Sequence, residues 1–143
     1  MNNIFLLAVD GSPGSENAIA FAANRAKLGD TKVIVAYVIE WSPYTFNTPE
    51  ENEMRHKRRE EELERAGSLL VPAVEKLKAG GIEVETEVRH GHIANVLIEL
   101  AEKYDVAQIF VGRSGDSGLK AKLFGSVVAN LVQSTPVPVT VVP

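Results

Sequence analysis

Two hydrophobic patterns alternate along this chain: short continuous apolar runs, and stripes that recur every three or four positions. The first run, Ile4 to Val9, is unbroken and stops at "DGSPGSE". An unbroken run of this length predicts a strand covered on both faces. The polar stretch after it predicts a helix start: Ser12 can cap, Pro13 suits the first helical position, and Glu16 lies where the helix dipole favours an anion. Ile19, Ala22, Ala23 and Ala26 then share one face until Gly29. "TKVIVAYVIE" predicts a second strand, and "WSPYTFN" follows as an irregular segment.

Thr48, Pro49 and Glu51 have capping-box spacing and predict the start of a long helix. Its expected apolar stripe is Leu63, Ala66, Leu70, Ala73, Val74 and Leu77, ending at Gly80 and Gly81. Pro72 removes a helical hydrogen bond, so a kink or restart is expected near Val71. "GIEVETEVRHG" alternates Ile82, Val84 and Val88 with charged residues, as a half-exposed edge strand would. Ile93, Val96, Leu97 and Leu100 predict a further helix. "DVAQIFVG" reads as a fourth strand, "SVVANLVQS" as a short helix and "TPVPVTVV" as a last strand.

Strands that alternate with helices need crossover connections, which predicts an α/β fold: an open, five-stranded, mostly parallel sheet with helices on both faces. Such Rossmann-like sheets take ligands outside the carboxyl ends of the strands, where strand order reverses. Two unusual loops fall at such ends, Asp10 to Ser15 and Gly112 to Gly125.

Composition narrows the class. With 143 residues, 45% of them hydrophobic and 24% charged, one domain spanning 1–143 is expected. A net charge of -4 gives no electrostatic reason to expect nucleic-acid binding. With no cysteine, thiolate metal sites and cysteine nucleophiles are excluded, and a cytoplasmic location fits. The N-terminal apolar run is too short to span a bilayer, so no membrane insertion is expected.

The segment "GRSGDSGLKAKLFGS", residues 112–126, holds four of the chain's eleven glycines. Glycine lets a bulky anion approach the main chain, and helix N-termini carry unpaired N–H groups with about half a positive charge. Gly112 and Gly115 bracket the strand exit, Gly125 and Ser126 open the next helix, and Arg113, Lys120 and Lys122 add positive charge. A phosphate site is one reading and an ordinary surface turn the other. A Walker A loop is excluded, because Gly118 is followed by Leu119 and Lys120. "DGSPGS" does not supply the dinucleotide fingerprint.

The spacing Gly112, two residues, Gly115, nine residues, Gly125-Ser126 resembles the ATP-binding signature of the universal stress protein family. The resemblance extends through "AVDGS", "AYVIE", "VRHG", "IFVGRSG" and "STPVPVTVV". It implies an adenine nucleotide alpha hydrolase-like sheet of order 3-2-1-4-5. The triphosphate would lie on Gly112, Gly115, Gly125 and Ser126, with Arg113 and Val127 beside it. Asp10, Gly11, Ser12 and the backbone of Val38 would take the adenosine side. Asp10 could also help hold Mg²⁺, or act only as a turn residue. His92, Ile93 and Ala107 depart from common family choices.

The resemblance further implies an ATP-dependent stress-response switch acting as a homodimer through the last strand, Val137 to Val142, toward an unknown regulatory partner. A slow ATPase or adenylyl-transfer enzyme in the same pocket is the alternative, and a nucleotide-free dimeric scaffold a second. For hydrolysis only Asp10 and Asp116 stand out as carboxylates. His90 and His92 would join a metal site only if further ligands converged. Arg55 to Glu62 reads as a solvated helix face with intrahelical pairs. Trp41, Tyr44 and Phe46 read as sheet-edge packing, with a nucleotide lid as the alternative.

Overall fold

The computed structural model describes residues 3–40, 49–113 and 125–143. Among the described residues five strands alternate with four helices: β1 (Ile4–Ala8), α1 (Pro13–Ala26), β2 (Lys32–Glu40), α2 (Pro49–Ala79), β3 (Glu83–Gly91), α3 (Ile93–Tyr104), β4 (Gln108–Gly112), α4 (Ser126–Ser134) and β5 (Val139–Val142). The sheet order is β3-β2-β1-β4-β5, and every pairing is parallel. The chain runs outward from β1 to one side and then returns to lay β4 on the other. Strand order therefore reverses between β1 and β4.

The continuous apolar runs are explained by two cores. Leu7, Val33, Val35 and Phe110 face α1 and α2, meeting Ala18, Ala22, Leu70, Ala73 and Leu77. Leu6, Ile34, Ala36, Ile109 and Val111 face α3 and α4, meeting Leu97, Leu100, Val128 and Leu131. Successive side chains of the central strands are buried on opposite faces, so polar residues are kept out of both registers.

α1 begins as its sequence prescribes. The Ser12 hydroxyl accepts from the Ser15 N–H at 3.2 Å, Pro13 occupies the first helical position, and Glu16 lies in the first turn. α2 is unbroken from Pro49 to Ala79, so the expected restart near Val71 does not occur. Pro72 is exposed, as is Ser68 one turn before it. Water can therefore satisfy the Ser68 carbonyl that proline leaves without a donor.

The helix is about 46 Å long, whereas β2 spans about 30 Å. Ala66, Leu70, Ala73 and Leu77 are buried, but Leu63, expected in the stripe, is 45% exposed. It lies on the part of α2 that overhangs the sheet. Glu53–His56 and the turns up to Arg65 are almost wholly exposed where described, and Glu62 faces His90 of β3 at 3.6 Å. The capping residue Thr48 lies outside the described residues.

The two sheet margins differ. On β3, Glu85 pairs with Lys32 at 2.8 Å, and Glu87 meets Arg89 and the Tyr104 hydroxyl. The hydrogen bond from Lys32 holds the Glu85 carboxyl below its usual range. The hydrogen bond to Glu87, reinforced by desolvation, pushes the Tyr104 phenol up. β5 carries no charged side chain, and it is shorter than the expected strand, beginning at Val139. Pro138 has no N–H to pair, and Thr135 closes a turn through its hydroxyl onto the Val137 carbonyl. Among the described residues no helix is long and apolar enough to cross a membrane.

Candidate functional site

A cleft of about 460 Å³ opens at the carboxyl ends of β1, β2 and β4, where strand order reverses. Its volume falls in the range of small-molecule sites. Four structural pieces build it.

The first is the β1–α1 turn. Beyond Ala8, the Val9 N–H still bonds the Ala36 carbonyl at 2.9 Å, and the chain then turns at Gly11 with φ +80°. Asp10 Oδ1 accepts from the Ser12 N–H at 2.9 Å and from the Ser12 hydroxyl. The Asp10 N–H donates to Ser15 Oγ at 3.1 Å. This network fixes the Asp10 carboxylate at the cleft wall while engaging only one of its oxygens. Asp10 is thus both a turn residue and a cleft residue.

The second piece is the end of β2. A strand residue points its N–H and C=O to the same side, and the next residue points to the other. Ala36 directs its carbonyl at β1, so Val38 directs both main-chain groups the same way, past the point where β1 has ended. Val38 therefore offers a donor and an acceptor to the cleft without a β1 partner. Ala36, Val38, Ile93, Leu97, Val111 and Val128 make the adjoining surface apolar.

The third piece is the end of β4. A Cβ added to Gly112 would lie 2.5 Å from the Gly14 carbonyl carbon and 2.6 Å from its oxygen. Gly112 is where the start of α1 rests on the sheet, and this packing requires glycine with or without a ligand. Arg113 is exposed at the cleft, its N–H bonded to the Val142 carbonyl at 2.7 Å.

The fourth piece is the start of α4. Gly125 caps this helix in extended conformation, no side chain caps it, and a Cβ there would meet nothing within 4 Å. The first-turn N–H groups at Ser126, Val127 and Val128 are the orphan donors of a helix end, open toward the cleft.

Of the residues singled out from sequence, Asp10, Ser12, Val38, Gly112, Arg113, Gly125, Ser126 and Val127 line one cleft. Gly11 does not line it. It supports the turn from behind, where its Cα faces Leu69 of α2 closely enough that a Cβ would lie 2.8 Å from Leu69 Cδ2. Gly115, Asp116, Lys120 and Lys122 lie outside the described residues, as do Trp41, Tyr44 and Phe46. The structure adds Ser15, Glu40, Ile93 and Leu97, which sequence reading did not assign to the site. Ser15 had a signal, since it stands three positions after the capping Ser12. Ile93 and Leu97 read only as core positions. His90 points at α2 and His92 caps α3 with no side-chain hydrogen bond; among the described residues no three His, Asp or Glu side chains converge as a metal site would need.

Fold and cleft together define a doubly wound α/β domain whose ligand cleft lies at the topological switch point. Comparison with known proteins narrows that class. The sequence profile described as "Universal stress protein family" matches residues 1–143, and the chain belongs to that family. It is 33% identical over 138 residues to a universal stress protein of Methanocaldococcus jannaschii, covering 96% of this chain and 79% of the relative. A universal stress protein from Lactobacillus plantarum superposes with a TM-score of 0.86 at 18% identity, covering 100% and 99% of the two chains, which shows the shared fold. A universal stress protein solved in complex with cAMP superposes with a TM-score of 0.69 at 25% identity, covering 99% and 96%.

Proposed function

We propose that the cleft binds an adenine nucleotide, that the nucleotide is ATP with Mg²⁺, and that the protein works as a nucleotide-dependent stress-response switch. The observation that carries this reading is the main chain of Val38. It presents an unpaired donor and acceptor beside an apolar surface, the combination that a purine edge and its faces require. The α4 N-terminus supplies unpaired N–H groups and a favourable dipole for phosphate at the same cleft. Gly115 completes the phosphate side in this reading.

Asp10 keeps one carboxylate oxygen free of the turn. Mg²⁺ in nucleotide sites typically takes one or two carboxylates together with phosphate oxygens, and a single free oxygen fits that donor set. The ion would neutralise charge between Asp10 and the phosphates.

Homodimerisation through Val137 to Val142 accompanies this proposal, supported by an uncharged β5 at the sheet margin. Light scattering at micromolar concentration checks it, a monomeric mass being the contrary result. A second reading takes a nucleoside monophosphate as the ligand, because a similar protein is known in complex with cAMP.

Calorimetric titration of nucleotide-free protein with ATP, ADP, AMP and cAMP, with and without Mg²⁺, separates these readings. Affinity that rises with phosphate number and with Mg²⁺ supports ATP. Equal or tighter binding of a monophosphate supports the second reading, and no binding by any of them refutes both.

A further inference from the structure

Residues 53–65 of α2 belong to the part of the helix that overhangs the sheet. Every side chain described there is exposed except Glu62, which faces His90 at 3.6 Å. A helical stretch this short is marginal in water without tertiary packing. One that is polar on all sides is held by intrahelical pairs, by solvent or by another chain. Intrahelical support is thin here. His56 pairs with Glu60 at 3.1 Å, but among the described residues Lys57, Arg58, Arg59, Glu61, Glu64 and Arg65 form no ion pair. Lys57 with Glu61, and Glu61 with Arg65, have the spacing for one and leave it unused.

These free charges are sorted into blocks. Lys57, Arg58 and Arg59 are followed directly by Glu60, Glu61 and Glu62. Residues 53–65 carry five basic and five acidic side chains, so a nucleic acid or an anionic membrane would be attracted by one half and repelled by the other. A helix with the same two blocks, running the opposite way, meets opposite charge along its length. A second copy of this chain carries such a helix. Laid antiparallel about a two-fold axis between Arg59 and Glu60, it matches; laid parallel and in register, it sets like charges side by side.

The flank that would make the contact is also defined. His56, Arg59, Glu60 and Leu63 recur at three and four residues and share one side of the helix. Leu63 is 45% exposed. One turn further on, Gly67 is exposed, and a Cβ there would meet nothing within 4 Å. Glycine weakens a helix interior, and nothing in its own chain crowds this position. An open position one turn from an exposed leucine lets another helix approach closely.

We propose that α2 is a docking surface for the α2 of a second copy. The two helices lie antiparallel, Arg59 of each against Glu60 of the other, and Leu63 of each over His56 of the other. The contact is isologous and closes on itself. It depends neither on the ligand of the cleft nor on pairing through β5, and it adds a separate face at which copies meet.

The chain has no cysteine, so Glu64→Cys places a single nitroxide label on the exposed helix of the full chain. Pulsed electron–electron resonance then reads the distance between labels. With a rise of 1.5 Å per residue and helix axes 8–10 Å apart, the docked arrangement puts the two labelled Cα atoms about 16 Å apart. Copies joined only through β5 would keep their β2 strands seven strand spacings apart, roughly 34 Å. The short distance is expected. Arg59→Glu should remove it, Glu60→Arg should remove it, and the two together should restore it, because opposite charges then face each other again. Both side chains are exposed, and unchanged far-ultraviolet circular dichroism checks that each variant keeps its helices. A mixture of the two single variants should not depend on folding differences and should also restore the short distance. Only the long distance, or none at the highest soluble concentration, overturns the proposal. A short distance that survives either single exchange overturns it as well, since the contact would then not run through Arg59 and Glu60.

Discussion

Adding one methyl group at Gly112 tests whether the cleft geometry depends on the contact between β4 and α1. The new Cβ would lie 2.5 Å from the Gly14 carbonyl carbon, 2.6 Å from its oxygen and 3.0 Å from the Ser15 nitrogen. Carbon atoms pack best at about 3.5–4.0 Å, so the shortfall is roughly 1 Å. All three neighbours are backbone, so no rotamer change can relieve it. Either α1 lifts off the sheet or β4 bends.

Gly112 does not have a positive φ, so the penalty comes from space and not from backbone conformation. Overpacking of this kind costs about 1–3 kcal/mol, and a backbone obstacle places Gly112→Ala in the upper part of that range. With a urea dependence of about 2 kcal/mol per molar, the unfolding midpoint should fall by roughly 1–1.5 M. Far-ultraviolet circular dichroism of nucleotide-free protein reads this, since bound ligand would add stability of its own. A midpoint within about 0.2 M of the parent would refute the reasoning, because it would mean that the contact yields at almost no cost.

Gly125→Ser makes the complementary case: the site is open and serine is a favoured helix cap, so stability should hold or rise by a few tenths of a kcal/mol, and a loss above about 1 kcal/mol in urea would contradict the open geometry. Gly11→Ala combines a φ of +80° with a Cβ 2.8 Å from Leu69, and should cost about 1–3 kcal/mol by the same assay. Adding Leu69→Ala should recover the steric part only, and full additivity of the two losses would refute the contact. Tyr104 gives a pH signature. Its phenol is held above the ordinary tyrosine value near 10, so its contribution to stability is full below that value and is lost as the pH rises beyond it. The phenolate absorbance lost in Tyr104→Phe should therefore belong to a late-titrating group, and an ordinary titration midpoint would refute the Glu87 bond.

The alternation of strand and helix and the Ser12-Pro13 helix start were legible because each depends on neighbours a few residues apart, whereas the sheet order was legible only through the family resemblance. Features set by distant contacts were not. The stripe on α2 includes Leu63 by periodicity alone, and nothing local says that the sheet beneath ends sooner. Pro72 signals an interruption, but its exposure, which lets the helix continue, belongs to the tertiary structure. Gly112 was recognisable as special, yet the sequence could not say that its nearest obstacle is the backbone of Gly14, about a hundred residues earlier in the chain. Ser15 was passed over because a serine in a first helical turn looks like capping, and only its burial at the cleft wall sets it apart.

The unlike margins of the sheet bear on how copies of this chain can meet. Along β3, Glu83, Glu85 and Arg89 leave charged side chains exposed or half-exposed at the margin, so main-chain pairing there would cost part of their hydration. Along β5 no charge stands in the way. A sheet that could accept strands at both margins could lengthen without limit, one copy after another. In the homodimer proposed above, pairing would use the one uncharged margin of each copy, and the charged β3 margins would face outward and leave no free uncharged margin for a third.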